Sequence, residues 1–248
     1  MLKRIAFAMF FVLFASNAIA AGKTYVAATD PTWPPMEFVS SDKQIVGYTV
    51  DYVQAVAKEL DITIEFRNVA WDGLFTGLDA GRFDMVAASV TITPDREKVM
   101  LFTNPYYTVK QAVILPKDST ITSLKGLEGK TLGAQIGTTG YFAIQKIPGT
   151  TAKSYDEISF AMESLYTGRI DGVVCDEPVA ADFALSREEY AKKLKIAFII
   201  EDAASENYGI AIKKGNTELR DLLNKGIAQV KAKGIEAELQ TKWFGVAQ

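Results

Sequence analysis

Histidine is missing from this 248-residue chain altogether. With it go Ser-His-Asp and Cys-His catalysis and most zinc sites, all of which rely on an imidazole. The single cysteine, Cys175, excludes an intramolecular disulfide. It falls in an apolar run and reads as a small core residue rather than a nucleophile. There is no basic excess: Lys and Arg number 27 against 30 Asp and Glu, a net charge of −3. Without a basic cluster or a basic–aromatic stripe, a nucleic-acid partner is disfavoured. Beyond the N-terminus, no run approaches the roughly eighteen apolar residues of a membrane-crossing helix. What remains is ordinary globular composition, 48% apolar, enough to build one or two domains.

The N-terminus has the layout of an export signal. Lys3 and Arg4 supply charge, Ile5 to Ala15 an apolar stretch, and Ala18-Ile19-Ala20 a small-residue cleavage pattern. Export and cleavage after Ala20 are expected, leaving a soluble mature protein of charge −5 once Lys3 and Arg4 are lost. No cysteine follows the apolar stretch, so lipid anchoring there is excluded. No motif calls for a cofactor or a metal.

The rest of the chain is best read outward from Met85 to Arg96. Met85–Ala88 is a short apolar run that predicts a buried strand. Thr93, Pro94 and Asp95 read as an N-cap, a first-position proline and a first-turn acid, which places Arg96 in the first turn of a helix. No acidic neighbour at helical spacing explains Arg96 as a surface ion pair. An arginine fork beside a helix N-terminus suits a carboxylate or a phosphate.

Before this stretch the pattern is strand Lys23–Thr29, helix Thr49–Leu60, strand Ile62–Asn68 and a helix from Trp71. The segment Pro31 to Pro35 predicts a rigid loop bearing an exposed Trp33. After it come an extended run Lys110–Pro116, a strand Thr131–Gln135, a glycine-bearing turn Ile136–Gly140 and a helix. Strand Gly172–Cys175, one helix Val179–Tyr190, further extended pieces and two closing helices complete the chain. Alternating strands and helices predict parallel α/β sheets.

Two segments echo each other at a constant offset of 87. Leu78 to Asp84 leads into Met85–Ala88 and Ser89; Leu165 to Asp171 leads into Gly172–Cys175 and Asp176. Each reads helix, Gly-Arg-apolar-Asp, short strand, polar residue. The echo predicts two βα lobes with Ser89 and Asp176 at equivalent strand ends, the edge where open α/β sheets bind ligands. A cleft between them gathers Ser89, Thr91 and Arg96 opposite Asp176 and the turn Gly137–Gly140. That set complements an amino-acid zwitterion, Arg96 for its carboxylate and Asp176 for its ammonium.

Several motifs in order carry a resemblance: Ala28-Thr-Asp30 with Trp33-Pro-Pro, Gly47-Tyr48 with Asp51, Trp71, Ala88 to Arg96, Phe102-Thr-Asn-Pro-Tyr106, Gly137-Thr-Thr139, Cys175-Asp176-Glu177 and Lys242-Trp-Phe-Gly245. Together they resemble the periplasmic polar amino-acid-binding proteins of ABC transporters. The resemblance implies a type II periplasmic binding fold: two lobes, each a mostly parallel sheet flanked by helices, joined by a two-strand hinge near Lys110 and Tyr208. It implies a signal peptide at 1–20, a discontinuous first lobe at 21–109 and 206–248, and a second lobe at 110–205. Ser89, Thr91 and Arg96 would hold the ligand carboxylate, Asp176 the amine, and Thr138 and Thr139 would close on the carboxylate. The resembled proteins often carry a polar residue where Ala88 stands.

For the ligand side chain, Asp30 is the nearest surplus carboxylate and Glu37 a weaker candidate. Trp33 and Trp71 are placed to stack on an aliphatic stem or a guanidinium, a contact worth about 0.5–2 kcal/mol. An acid with aromatics points to arginine or lysine; glutamine or another neutral polar amino acid is the alternative. A second alternative is a cyclohexadienyl (prephenate or arogenate) dehydratase, since some proteins similar to this family have that activity. The expected partners are the amino acid and, transiently, a membrane ABC permease. The expected protein is a periplasmic monomer.

Overall fold

A computed structural model describes residues 22–200 and 206–245. The expected signal segment and its cleavage site lie outside the described residues. The chain opens on β1 (Thr24–Thr29), where Ala27 and Ala28 are fully buried. A small antiparallel flap follows: β2 (Thr32–Trp33), β3 (Glu37–Val39) and β4 (Ile45–Val46). The flap corrects the expected loop. Trp33 pairs with Glu37 in a ladder that turns the indole inward, and it is only 7% exposed.

Helix α1 (Tyr48–Glu59) buries Tyr52, Val53, Val56 and Ala57 on one face, as its apolar spacing predicts. β5 (Thr63–Asn68) and α2 (Trp71–Asp79) also follow their periodicity. β6 is shorter than expected, Met85–Val86. Immediately after the expected strand, Ser89 takes a positive φ of 48°, and the chain turns out of the sheet before Thr91. α3 (Pro94–Val99) has the predicted cap, with the Thr93 hydroxyl accepting from the Arg96 N–H at 3.2 Å. It ends after six residues because the chain immediately enters β7 (Met100–Phe102).

The second half runs through β8 (Tyr107–Val109), β9 (Gln111–Pro116), β10 (Thr131–Gln135), α4 (Thr139–Gln145), β11 (Thr151–Tyr155), α5 (Ile158–Tyr166) and β12 (Gly172–Asp176). The single helix expected over Val179–Tyr190 is broken into α6 (Glu177–Ala181), one wide π-type turn over Asp182–Ser186, and α7 (Glu188–Lys193). Arg187 causes the break. Its backbone is extended, its Nε lies 2.8 Å from the Asp182 carboxylate, and its guanidinium packs 3.7 Å over the Phe183 ring. β13 (Leu194–Ile199), β14 (Glu206–Tyr208), β15 (Ala211–Lys213), α8 (Thr217–Ala232) and α9 (Ile235–Phe244) complete the fold.

Two five-stranded sheets result, ordered β5-β1-β6-β15-β7 and β11-β10-β12-β9-β13. In each, the first three strands are parallel, the fourth is reversed, and the fifth, antiparallel to the fourth, runs with the first three. This is the two-lobed type II periplasmic binding fold. β8 and β14 pair antiparallel between the lobes, joining Tyr107 to Tyr208. α8 and α9 pack on α1, so the chain's last helices complete the lobe that its first strand began. Gly226 marks the contact: a Cβ there would lie 2.8 Å from Val56 Cγ1.

The echo at offset 87 is physical. Gly81 and Gly168 close their helices with φ of 68° and 72°, a region that favours glycine. Asp84 and Asp171 then clamp the neighbouring central strand in the same way. The Asp84 carboxylate accepts from Val26 N–H and the Asp171 carboxylate from Thr131 N–H, each at 2.8 Å. Among the described residues, no helix is long and apolar enough to cross a membrane.

Candidate ligand-binding cleft

The carboxyl ends of β1 and β6 face those of β10 and β12 across a cleft. Asp30 follows β1, Trp71 opens α2, and Ala88, Ser89 and Thr91 follow β6. Arg96 projects from α3, Trp33 and Glu37 come from the flap, Gln135 ends β10, Thr138 and Thr139 begin α4, and Asp176 ends β12. Together they line one small cavity between the lobes. All nine residues singled out from the sequence line it: Asp30, Trp33, Trp71, Ser89, Thr91, Arg96, Thr138, Thr139 and Asp176.

The two lobes touch through this lining. Arg96 donates from Nη1 to Thr91 O at 2.8 Å and, across the cleft, from Nη2 to Gly137 O at 3.2 Å. Its guanidinium lies beside the Trp71 and Phe75 rings, 5.5 and 5.4 Å from their centres. Burial lowers its pKa to about 10, which leaves it cationic at neutral pH. The expected helix N-terminus contributes less than the side chain. α3 is short, and the Thr93 hydroxyl already holds the Arg96 N–H.

Asp176 forms the opposite pole. Gln111 Nε2 donates to its Oδ1, while Tyr208 Oη and Trp33 Nε1 donate to Oδ2, the indole from 3.3 Å. Burial, and then the nearby Glu206 carboxylate, raise its pKa to about 7 despite those donors. Asp30 accepts from Thr32 Oγ1 at 3.0 Å and, across the cleft, from Gln135 Nε2 at 2.9 Å. Glu37 is 1% exposed and accepts from Ser89 Oγ at 2.9 Å. Burial pushes Asp30 upward and Glu37 well upward.

With the geometry in place, comparison with known proteins is decisive. The family model for bacterial extracellular solute-binding proteins, family 3, matches residues 25–246. This chain belongs to that family. It is similar to the putative ABC transporter arginine-binding protein 2 of Escherichia coli K12, with 36% identity covering 98% of this chain and 99% of the relative. A solved ancestral arginine-binding protein, bound to glutamine, superposes with a TM-score of 0.82 at 35% identity, covering 90% of this chain and 98% of the other. An ancestral amino acid-binding protein described as a precursor of cyclohexadienyl dehydratase superposes with a TM-score of 0.80 at 32% identity, covering 89% and 95%.

For a solute-binding protein, the electrostatics of the lining bear directly on the solute. Asp30, Glu37 and Asp176 face a single Arg96. Three acids in the lining thus stand against one guanidinium. Glu37, the weaker candidate from the sequence, also lines the cavity, because the flap folds β3 inward.

Gln135 was missed, although it ends a predicted strand and the strand-end rule that selected Ser89 and Asp176 applies to it equally. Gln111 at the start of β9 and Glu206 at the start of β14, which brace the lining from behind, gave no local signal. Thr138 lines the cavity, but its hydroxyl donates to Gln135 O at 2.7 Å and accepts from Tyr141 N–H at 3.3 Å, so it caps α4.

Proposed function

We propose that this chain captures a basic L-amino acid, arginine or lysine, by closing its two lobes, and delivers it to an ABC permease. The observation that carries the reading is the pair of buried carboxylates, Asp30 and Glu37, in a lining that already holds Asp176 against Arg96. Arg96 with Thr91 and Thr139 takes the ligand carboxylate, Asp176 takes the α-ammonium, and Ser89, whose hydroxyl donates to Glu37, orients that acid. Asp30 and Glu37 receive the side-chain cation, with Trp33 and Trp71 flanking its stem. Thr138 helps by ordering the turn.

Closure supplies the selectivity in time as well as in chemistry. Arg96 and Asp176 belong to different lobes, so only the closed form satisfies both ends of one zwitterion. The pair β8 and β14 is the proposed hinge, and the lobe boundaries follow it, 21–109 with 206–248 against 110–205. Export to the periplasm and a monomeric state complete the proposal.

Calorimetry with arginine, lysine and glutamine tests it. Heat from arginine or lysine with a weaker response to glutamine is expected; glutamine binding with no response to arginine or lysine overturns the choice of ligand. In this reading the chain is not an enzyme. Incubation with prephenate or arogenate should give no aromatic product.

A further inference from the structure

Near Arg96, at the end of the cavity that takes a carboxylate, the hydroxyl protons are already committed. Glu206 opens β14, in the connection between the lobes. Its Oε2 accepts from Thr139 Oγ1 at 2.6 Å, from Thr91 Oγ1 at 3.1 Å and from Gln111 Nε2 at 3.2 Å. Thr91 and Thr139 come from opposite lobes and stand 3.5 Å apart. With Arg96 they line both the cavity and a wider groove outside it, and Glu206 and Gln111 line only the groove. Glu206 therefore reaches the two threonines from behind.

A hydroxyl has one proton to give. While both threonines give theirs to Glu206, each turns only lone pairs toward the cavity, and lone pairs do not hold a carboxylate. Two carboxylates also repel at this range, strongly so out of water. Gln111 extends the arrangement: the same Nε2 lies within hydrogen-bond distance of Asp176 Oδ1 as well as Glu206 Oε2. One side chain thus ties Glu206 to the pole that takes the ammonium.

We propose that Glu206 is an internal rival of the ligand's carboxylate and a specificity-determining residue of the cleft. It grips Thr91 and Thr139 from the groove side, and a carboxylate-bearing ligand binds by taking their protons from it. A cation without a carboxylate has no need to evict it. The proposal rests on reading the cleft as an amino-acid site.

The test is calorimetry of arginine, and of agmatine, which is arginine without its carboxylate, against the wild-type chain, Glu206→Ala and Glu206→Gln. Thermal unfolding of each protein alone confirms that it is folded. Glu206→Ala is expected to bind arginine roughly tenfold more tightly, since charge-assisted bonds no longer have to be broken first, with no tightening toward agmatine. Glu206→Gln keeps an acceptor without the charge, and it should fall between the two.

Arginine binding that is unchanged or weakened in both variants overturns the proposal and reduces Glu206 to a brace between the lobes. Equal tightening toward both ligands overturns it too. In either of those cases wild-type arginine binding leaves the amino-acid reading standing. If no amino acid binds to any of the three proteins, that reading fails and takes the proposal with it.

Discussion

The two lobes share a plan and differ in what they bring to the cleft. Each has four strands running one way and one reversed, a glycine-closed helix and an aspartate clamped to the strand beside it. At equivalent strand ends, one offers Ser89 and the other Asp176. The first lobe adds Arg96, Asp30 and Glu37; the second adds Thr139 and Gln135. The comparison teaches that a repeated scaffold leaves the residue after the strand free to vary. Groups of opposite charge, Arg96 and Asp176, thus stand on separate lobes.

The largest expected effect comes from breaking that division. Arg96→Ala in one lobe and Asp176→Ala in the other should each weaken arginine binding by more than about 100-fold, because each leaves a ligand charge buried and unpaired. Circular dichroism should show both folded. Wild-type affinity in either variant would end the assignment of poles to lobes.

Next comes Glu37→Gln, which removes a buried acid from the first lobe while keeping its shape. Arginine affinity should fall roughly tenfold or more and glutamine affinity should rise, measured by the same titrations. A parallel loss for both ligands would mean that Glu37 supports the flap rather than reading the side chain.

A smaller effect is pH dependence at the second lobe's pole. Asp176, raised to about 7, carries a proton below that pH in the protein alone, while the bound ammonium favours the ionised form. Binding therefore releases a proton at low pH. Arginine affinity should weaken as pH falls from about 7, approaching tenfold per unit, and should flatten above it. Titrations in buffers of different ionisation enthalpy measure the proton directly; affinity unchanged between pH 5 and 8 contradicts it.

Much of this was legible in the sequence, for identifiable reasons. Helical periodicity placed α1 and α2 because each has one face in a core. The Thr93-Pro94-Asp95 cap placed Arg96 to the residue because a capping hydroxyl and a fixed proline φ are local devices. Local reasoning failed where distant parts of the chain decided the outcome. Trp33 is buried because its indole meets Asp176 from the other lobe. The helix expected through Val179–Tyr190 breaks because Arg187 finds Asp182 and Phe183. Gln111 and Glu206 matter only because the pairing of β14 with β8 brings Glu206 up to Gln111 on β9, far away in the chain.

The smallest effect examines the shared plan itself. Gly81→Ala and Gly168→Ala should each cost about 1 kcal/mol of stability, since both hold a left-handed φ with open space around the missing Cβ. Chemical denaturation should show similar losses in both variants and unchanged arginine affinity. A loss at only one site would mean that the two turns are alike in shape but not in strain.

The place of β15 has a consequence for biogenesis. It lies between β6 and β7, although it comes more than a hundred residues after them in the chain. Until Ala211–Lys213 has been made, those two strands have no partner between them, while the other sheet already holds every strand it needs. Nascent chains stopped short of Ala211 should therefore resist protease within 111–199 and be cut before it, so that the part of the protein synthesised first is the last to become finished.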